Sequence, residues 1–66
     1  MGQAIKKHRE EKGLSQSELS KLSGVERTTI VKLEKGNHSP SLKTIHRLAK
    51  ALGIMLNQLI LEAGID

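Results

Sequence analysis

Four glycines constrain the fold of this chain more than any other feature, because they divide it into short segments; they are Gly13, Gly24, Gly36 and Gly53. A helix that ends at a glycine can close with a left-handed residue at little cost. Between the glycines, apolar residues recur at helical spacing, and no segment shows the alternation of a strand. The pattern therefore predicts an all-α fold built from short helices.

Five helices are predicted from these breaks; four have the ranges 3–12, 16–23, about 26–35 and 42–52, and the fifth lies within segment 54–66. The second follows a capping box, in which the Ser15 hydroxyl accepts from the Glu18 N–H and the Glu18 carboxylate accepts from the Ser15 N–H. The apolar positions of this second helix are Leu19 and Leu22. The fourth helix is capped by Ser41. The apolar face of the fourth helix consists of Leu42, Ile45, Leu48, Ala49 and Leu52.

The 66 residues are interpreted as one domain, 1–66, and a chain of that size hides only about 60 % of its unfolded surface. Without cysteine, disulfides and most zinc sites are excluded, and a partner subunit remains as a source of stability. Segment 54–66 holds more apolar residues than one face of a short helix can bury, which indicates an interface. The expected dimer contacts are Met55, Leu56, Leu59, Ile60 and Ile65. A core role for Leu56 and Leu59 is the alternative.

The charge of the chain is unevenly distributed. All 11 lysines and arginines lie between Lys6 and Lys50, and the formal net charge is +4. A basic body with an apolar, mildly acidic tail indicates two different surfaces, although a solvated lysine surface explains the same charge. The absence of aromatic residues argues against base stacking with single-stranded nucleic acid.

Residues 16–35 have the pattern of a single unit: a short helix, a glycine turn and a second helix. Such a unit is a helix-turn-helix, whose second helix can enter the major groove of DNA. At about 100° per residue, positions 27, 28, 31 and 32 share an arc opposite Ile30 and Leu33. The third helix therefore buries little and presents a polar face outward.

The segments LSQSELSKLSGVERTTIVKLEKG, PSL and LAKALGI resemble the phage repressor and Cro-type helix-turn-helix family, also called the xenobiotic-response-element family of bacterial regulators. The resemblance extends from about residue 5 to residue 59. It implies a five-helix, repressor-like domain that binds a pseudo-palindromic operator in double-stranded DNA as a homodimer and regulates transcription, most often as a repressor. No cofactor and no metal are expected from the residues themselves.

Site residues follow from the resemblance and from the outward arc together. The expected base readers are Arg27, Thr28, Lys32 and Val31. Arg27 is the strongest of them, because its guanidinium can grip O6 and N7 of guanine. The expected phosphate contacts are Gln16, Lys35, Asn37, Lys43 and Thr44. The resemblance also implies a structural salt bridge between Arg9 and Glu34.

Two residues depart from the family pattern. Glu26 stands where a serine or threonine often begins the third helix, and its charge is expected to weaken non-specific DNA binding. Met55 stands where a capping serine is common before the fifth helix. It adds an exposed apolar side chain to the expected dimer surface.

Other functions fit less well. A protein-interaction module, such as an antitoxin or adaptor that uses the apolar tail, is the alternative. An enzyme is not expected, because no catalytic triad, carboxylate pair, metal-ligand cluster or phosphate-binding glycine loop is present. Without a signal sequence or a long apolar run, we expect a cytoplasmic protein.

Overall fold

A computed structural model describes residues 2–37 and 39–62. Within these ranges the chain forms five helices and no strand, which confirms the predicted fold class. The helices are α1 (Gly2–Glu11), α2 (Gln16–Ser23), α3 (Arg27–Glu34), α4 (Leu42–Leu52) and α5 (Leu56–Glu62). None of them is long and apolar enough to cross a bilayer.

The helix ends are set by local sequence. Both bonds of the predicted capping box are present, with 3.0 Å between the Glu18 N and the Ser15 Oγ and 2.8 Å between the Ser15 N and the Glu18 Oε1. Ser41 Oγ accepts from the backbone N–H of Thr44 at the start of α4. α4 ends at Gly53, whose φ of 72° is the left-handed conformation that favours glycine.

The hydrophobic core draws on every helix and on the turn between α2 and α3. Its buried side chains are Ile5, Leu19, Val25, Ile30, Leu33, Leu48, Ala49, Leu52 and Leu59. The prediction that Leu59 lies in a dimer interface is therefore wrong, because this side chain is fully enclosed within one subunit. Leu22 and Leu42 were expected to face the core, but both are mostly exposed.

Several apolar side chains in and beside α5 are exposed or half-buried. Met55 is 70 % exposed and Leu61 is 77 % exposed, whereas Leu56 and Ile60 are half-buried. Ile65, the other expected dimer contact, lies outside the described residues. We call Ile54, Met55, Leu56, Ile60 and Leu61 the α5 patch.

α5 is held to α1 by a contact between two polar side chains. His8 Nε2 lies 2.7 Å from both carboxylate oxygens of Glu62. This hydrogen bond lowers the pKa of the Glu62 carboxyl, and a hydrogen bond from the Ser15 N–H does the same for Glu18. A carboxyl group whose pKa is lower in the folded than in the unfolded protein stabilises the fold. This contribution is complete above the unfolded pKa of about 4.3, and it is lost as the pH falls through the lower pKa of the folded state.

We therefore expect the thermal midpoint of the protein to fall as the pH drops below about 4.3. Glu18→Gln keeps an acceptor for the Ser15 N–H but does not titrate, so its midpoint should fall less over the same pH range. Thermal unfolding followed by circular dichroism from neutral pH into acid measures the two slopes. Equal slopes for the two proteins would show that the capping box does not contribute to acid sensitivity.

Candidate nucleic-acid interface

α3 has one buried side and one exposed side. Ile30 and Leu33 are fixed in the core. The opposite side forms a shallow, open depression, which we call the α3 outer face; its lining residues are Arg27, Thr28, Val31, Lys32, Lys35 and Asn37. The structure thus brings the four expected base readers together with two of the expected phosphate contacts.

The turn between α2 and α3 fixes the angle at which α3 is presented. Gly24 has a φ of 73°, which ends α2 in the left-handed conformation. The Ser20 hydroxyl donates to the Val25 carbonyl at 2.6 Å, and the Val25 N–H donates to Ser23 Oγ at 3.1 Å. Since the Val25 side chain is also buried, the two helices meet at a well-determined corner.

A polar network behind α3 joins it to α1 and α2. Arg9 Nε donates to Glu34 Oε2 at 2.7 Å, and Arg9 Nη2 donates to Glu34 Oε1 at 3.0 Å. Arg9 Nη1 donates to the Leu14 carbonyl, and Gln16 Nε2 donates to Glu34 Oε1 at 3.1 Å. The hydrogen bonds to Glu34 raise the pKa of Arg9, so the guanidinium stays charged. We call Arg9, Gln16 and Glu34 the α3 brace.

α1 also contacts α3 through its backbone. A Cβ atom added to Gly2 would lie 1.8 Å from the Leu33 carbonyl oxygen, so only glycine permits the observed approach. The start of α1 thus packs on the end of α3, while Arg9 near the end of α1 binds Glu34. These two attachments leave the α3 outer face uncovered by α1.

The remaining expected phosphate contacts lie at the starts of α2 and α4. Lys43 is exposed on the first turn of α4. Thr44 is half-buried, and its hydroxyl lies 3.0 Å from Ser41 Oγ. Gln16 has one amide hydrogen in the α3 brace and one left for another acceptor.

Two side-chain contacts between distant segments were not predicted from the sequence. The Gln16 to Glu34 bond joins residues 18 positions apart, and the His8 to Glu62 bond joins residues 54 positions apart. Neither spacing has a periodic signature. Among residues 2–37 and 39–62, no three histidine, cysteine, aspartate or glutamate side chains are grouped as metal ligands.

A family model described as helix-turn-helix matches residues 5–59 of the chain. The chain belongs to this helix-turn-helix family. The match covers the α3 outer face, the α3 brace and most of α5. It confirms the resemblance to repressor and Cro-type regulators, a class of DNA-binding transcriptional regulators rather than of enzymes.

Individual relatives agree with this assignment. The chain is 57 % identical over 49 residues to an uncharacterized HTH-type transcriptional regulator of Methanothermobacter thermautotrophicus, covering 74 % of this chain and 71 % of that protein. It is 36 % identical over 59 residues to the cryptic phage CTXphi transcriptional repressor RstR of Vibrio cholerae, covering 89 % of this chain and 53 % of that protein.

A solved structure shares the fold. The restriction-modification controller protein C.AhdI from Aeromonas hydrophila superposes with a TM-score of 0.85 and 41 % sequence identity, over 88 % of each chain. This helix-turn-helix regulator therefore has the five-helix, repressor-like fold that the family resemblance implied.

Proposed function

We propose that this regulator binds a pseudo-palindromic operator as a homodimer and inserts α3 into the major groove, acting as a repressor. The observation that supports this most is the α3 outer face, where Arg27, Thr28, Val31 and Lys32 share one exposed surface. In helix-turn-helix proteins the second helix enters the groove with its N-terminal residues on base edges. The exposed side of α3 is available for that contact.

Different residues supply affinity and specificity in this proposal. Arg27 grips O6 and N7 of a guanine, a pairing that gives about 1–3 kcal/mol of discrimination. Lys32 and Thr28 contact neighbouring base edges, and Val31 contacts a thymine methyl group. Phosphate contacts set the register without reading sequence. They come from Lys35, Asn37, Lys43, Thr44 and the second amide hydrogen of Gln16.

The second copy is proposed to bind through the α5 patch. Exposed apolar surface of this kind marks an interface, and Met55, Leu56 and Ile60 are the expected contacts within it. A two-fold dimer places its two recognition helices about 34 Å apart, one turn of the duplex. The operator is then a pair of inverted half-sites.

Selection of bound duplexes from a random pool tests this function. The expected product is a symmetric site, and the same selection with Arg27→Ala should relax one base pair in each half-site while the others keep their preferences. The relaxed position should lose a factor of at least about five in discrimination. Failure of the unmodified protein to enrich any sequence at moderate salt would contradict the proposal.

The exposure of Met55 and Leu61 also favours a second candidate, in which the α5 patch binds a different protein. Salt distinguishes the two. Operator binding releases counterions, so its affinity should fall linearly on a plot of log affinity against log salt concentration. An apolar contact with another protein should show little dependence on salt.

A further inference from the structure

The carboxylate of Glu26, at the start of α3, makes no hydrogen bond or salt bridge with the residues that the structure describes. Three other glutamates hold hydrogen bonds within the subunit, namely Glu18, Glu34 and Glu62. Glu26 is exposed and makes no capping hydrogen bond to α3, and none of the salt bridges among residues 2–37 and 39–62 involves it. Its two oxygens are therefore available to a donor outside the subunit.

Glu26 directly precedes the strongest candidate for base reading, at the start of α3. Glu26 is the N-cap residue of α3, and Arg27 is the first helical residue. In the proposed docking, the N-terminal end of the recognition helix is the part that contacts base edges. The two side chains present opposite chemistry, because a guanidinium only donates hydrogen bonds and an ionised carboxylate only accepts them.

We infer that Glu26 reads a cytosine, by accepting a hydrogen bond from its N4 amino group at the base pair that Arg27 reads or at the neighbouring one. This inference rests on the proposed function and assigns part of the operator sequence. In the major groove, guanine and thymine offer acceptors that repel a carboxylate. Adenine offers a donor beside the N7 acceptor, whereas cytosine offers a donor alone, so the carboxylate favours cytosine.

The experiment is selection from a random duplex pool with the unmodified protein, Glu26→Gln, Glu26→Ala and the control Glu10→Gln. Glu10 is an exposed carboxylate on α1 and matches the change in charge. The unmodified protein should enrich a cytosine at one position in each half-site. Glu26→Gln should shift that position towards adenine, because an amide can bind N6 and N7 together, and Glu26→Ala should lose the preference at least about fivefold.

The outcomes separate the inference from the proposed function. If Glu26→Gln binds every duplex more tightly and leaves all base preferences unchanged, Glu26 only repels phosphates and the inference is wrong. If the unmodified protein enriches a symmetric site without a cytosine that depends on Glu26, the proposed function stands and the inference fails. An unmodified protein that enriches no site overturns both. Circular dichroism of each variant confirms that the helices are retained.

Discussion

Replacing Arg9 by methionine is expected to lower the free energy of unfolding by about 3–5 kcal/mol. The substitution deprives the Glu34 carboxylate, whose side chain is only 5 % exposed, of the two hydrogen bonds from the Arg9 guanidinium. It also removes the donor to the Leu14 carbonyl. A domain of this length has a total stability of roughly 3–10 kcal/mol, so this loss is a large fraction of the total. Urea unfolding followed by circular dichroism measures the loss.

Two further variants identify the source of this loss. Arg47→Met removes an exposed arginine from α4 and should change stability by less than about 0.5 kcal/mol. The double variant Arg9→Met with Glu34→Leu should be more stable than Arg9→Met alone, because it leaves no unpaired buried charge. If Arg9→Met and Arg47→Met cost the same, the α3 brace has no structural role.

Met55→Lys is expected to produce a folded monomer that binds the selected operator at least about 100-fold more weakly. Met55 is mostly exposed, so the fold should tolerate the change, but the new charge lies within the α5 patch. A monomer binds one half-site at a time, so it loses the gain in affinity that comes from linking two DNA-binding domains. Sedimentation equilibrium gives the oligomeric state, and fluorescence anisotropy with labelled operator gives the affinity.

The matched control is Leu22→Lys, which places the same charge on an exposed leucine of α2 outside the α5 patch. An added lysine strengthens DNA binding electrostatically unless it breaks the dimer. The control should therefore bind at least as tightly as the unmodified protein. A Met55→Lys protein that stays dimeric with unchanged affinity would show that the dimer forms through another surface.

The sequence predicted those parts of the fold that depend on neighbouring residues. The capping box at Ser15 and the glycine ends of α2 and α4 are local hydrogen-bonding patterns, and each appears as expected. Leu22 and Leu42 were predicted to face the core, but both are mostly exposed. Helical periodicity shows which side of a helix is apolar, but it does not show how much of that side a neighbouring helix covers. Leu59 is buried since α4 and α1 both contact α5, which the sequence of α5 alone does not show.

In the candidate site, too, features set by neighbouring residues could be predicted, whereas features set by the packing of distant helices could not. The α3 outer face could be predicted because it needs only the angle between successive residues and two anchors, Ile30 and Leu33. The participation of Gln16 in the α3 brace could not, because it depends on how α1, α2 and α3 meet. The pairing of Arg9 with Glu34 was implied by family resemblance alone, and the structure gives its geometry.

The most direct test of the central claim, that Arg27 on α3 reads a guanine in the major groove, is a double-mutant cycle between protein and DNA. Each half-site guanine of the selected operator is replaced in turn by 7-deazaguanine, which lacks the N7 acceptor and still pairs with cytosine. At one guanine, the unmodified protein should lose affinity at least about fivefold, whereas Arg27→Ala should show almost no further loss. An equal loss for both proteins at every guanine would contradict the claim.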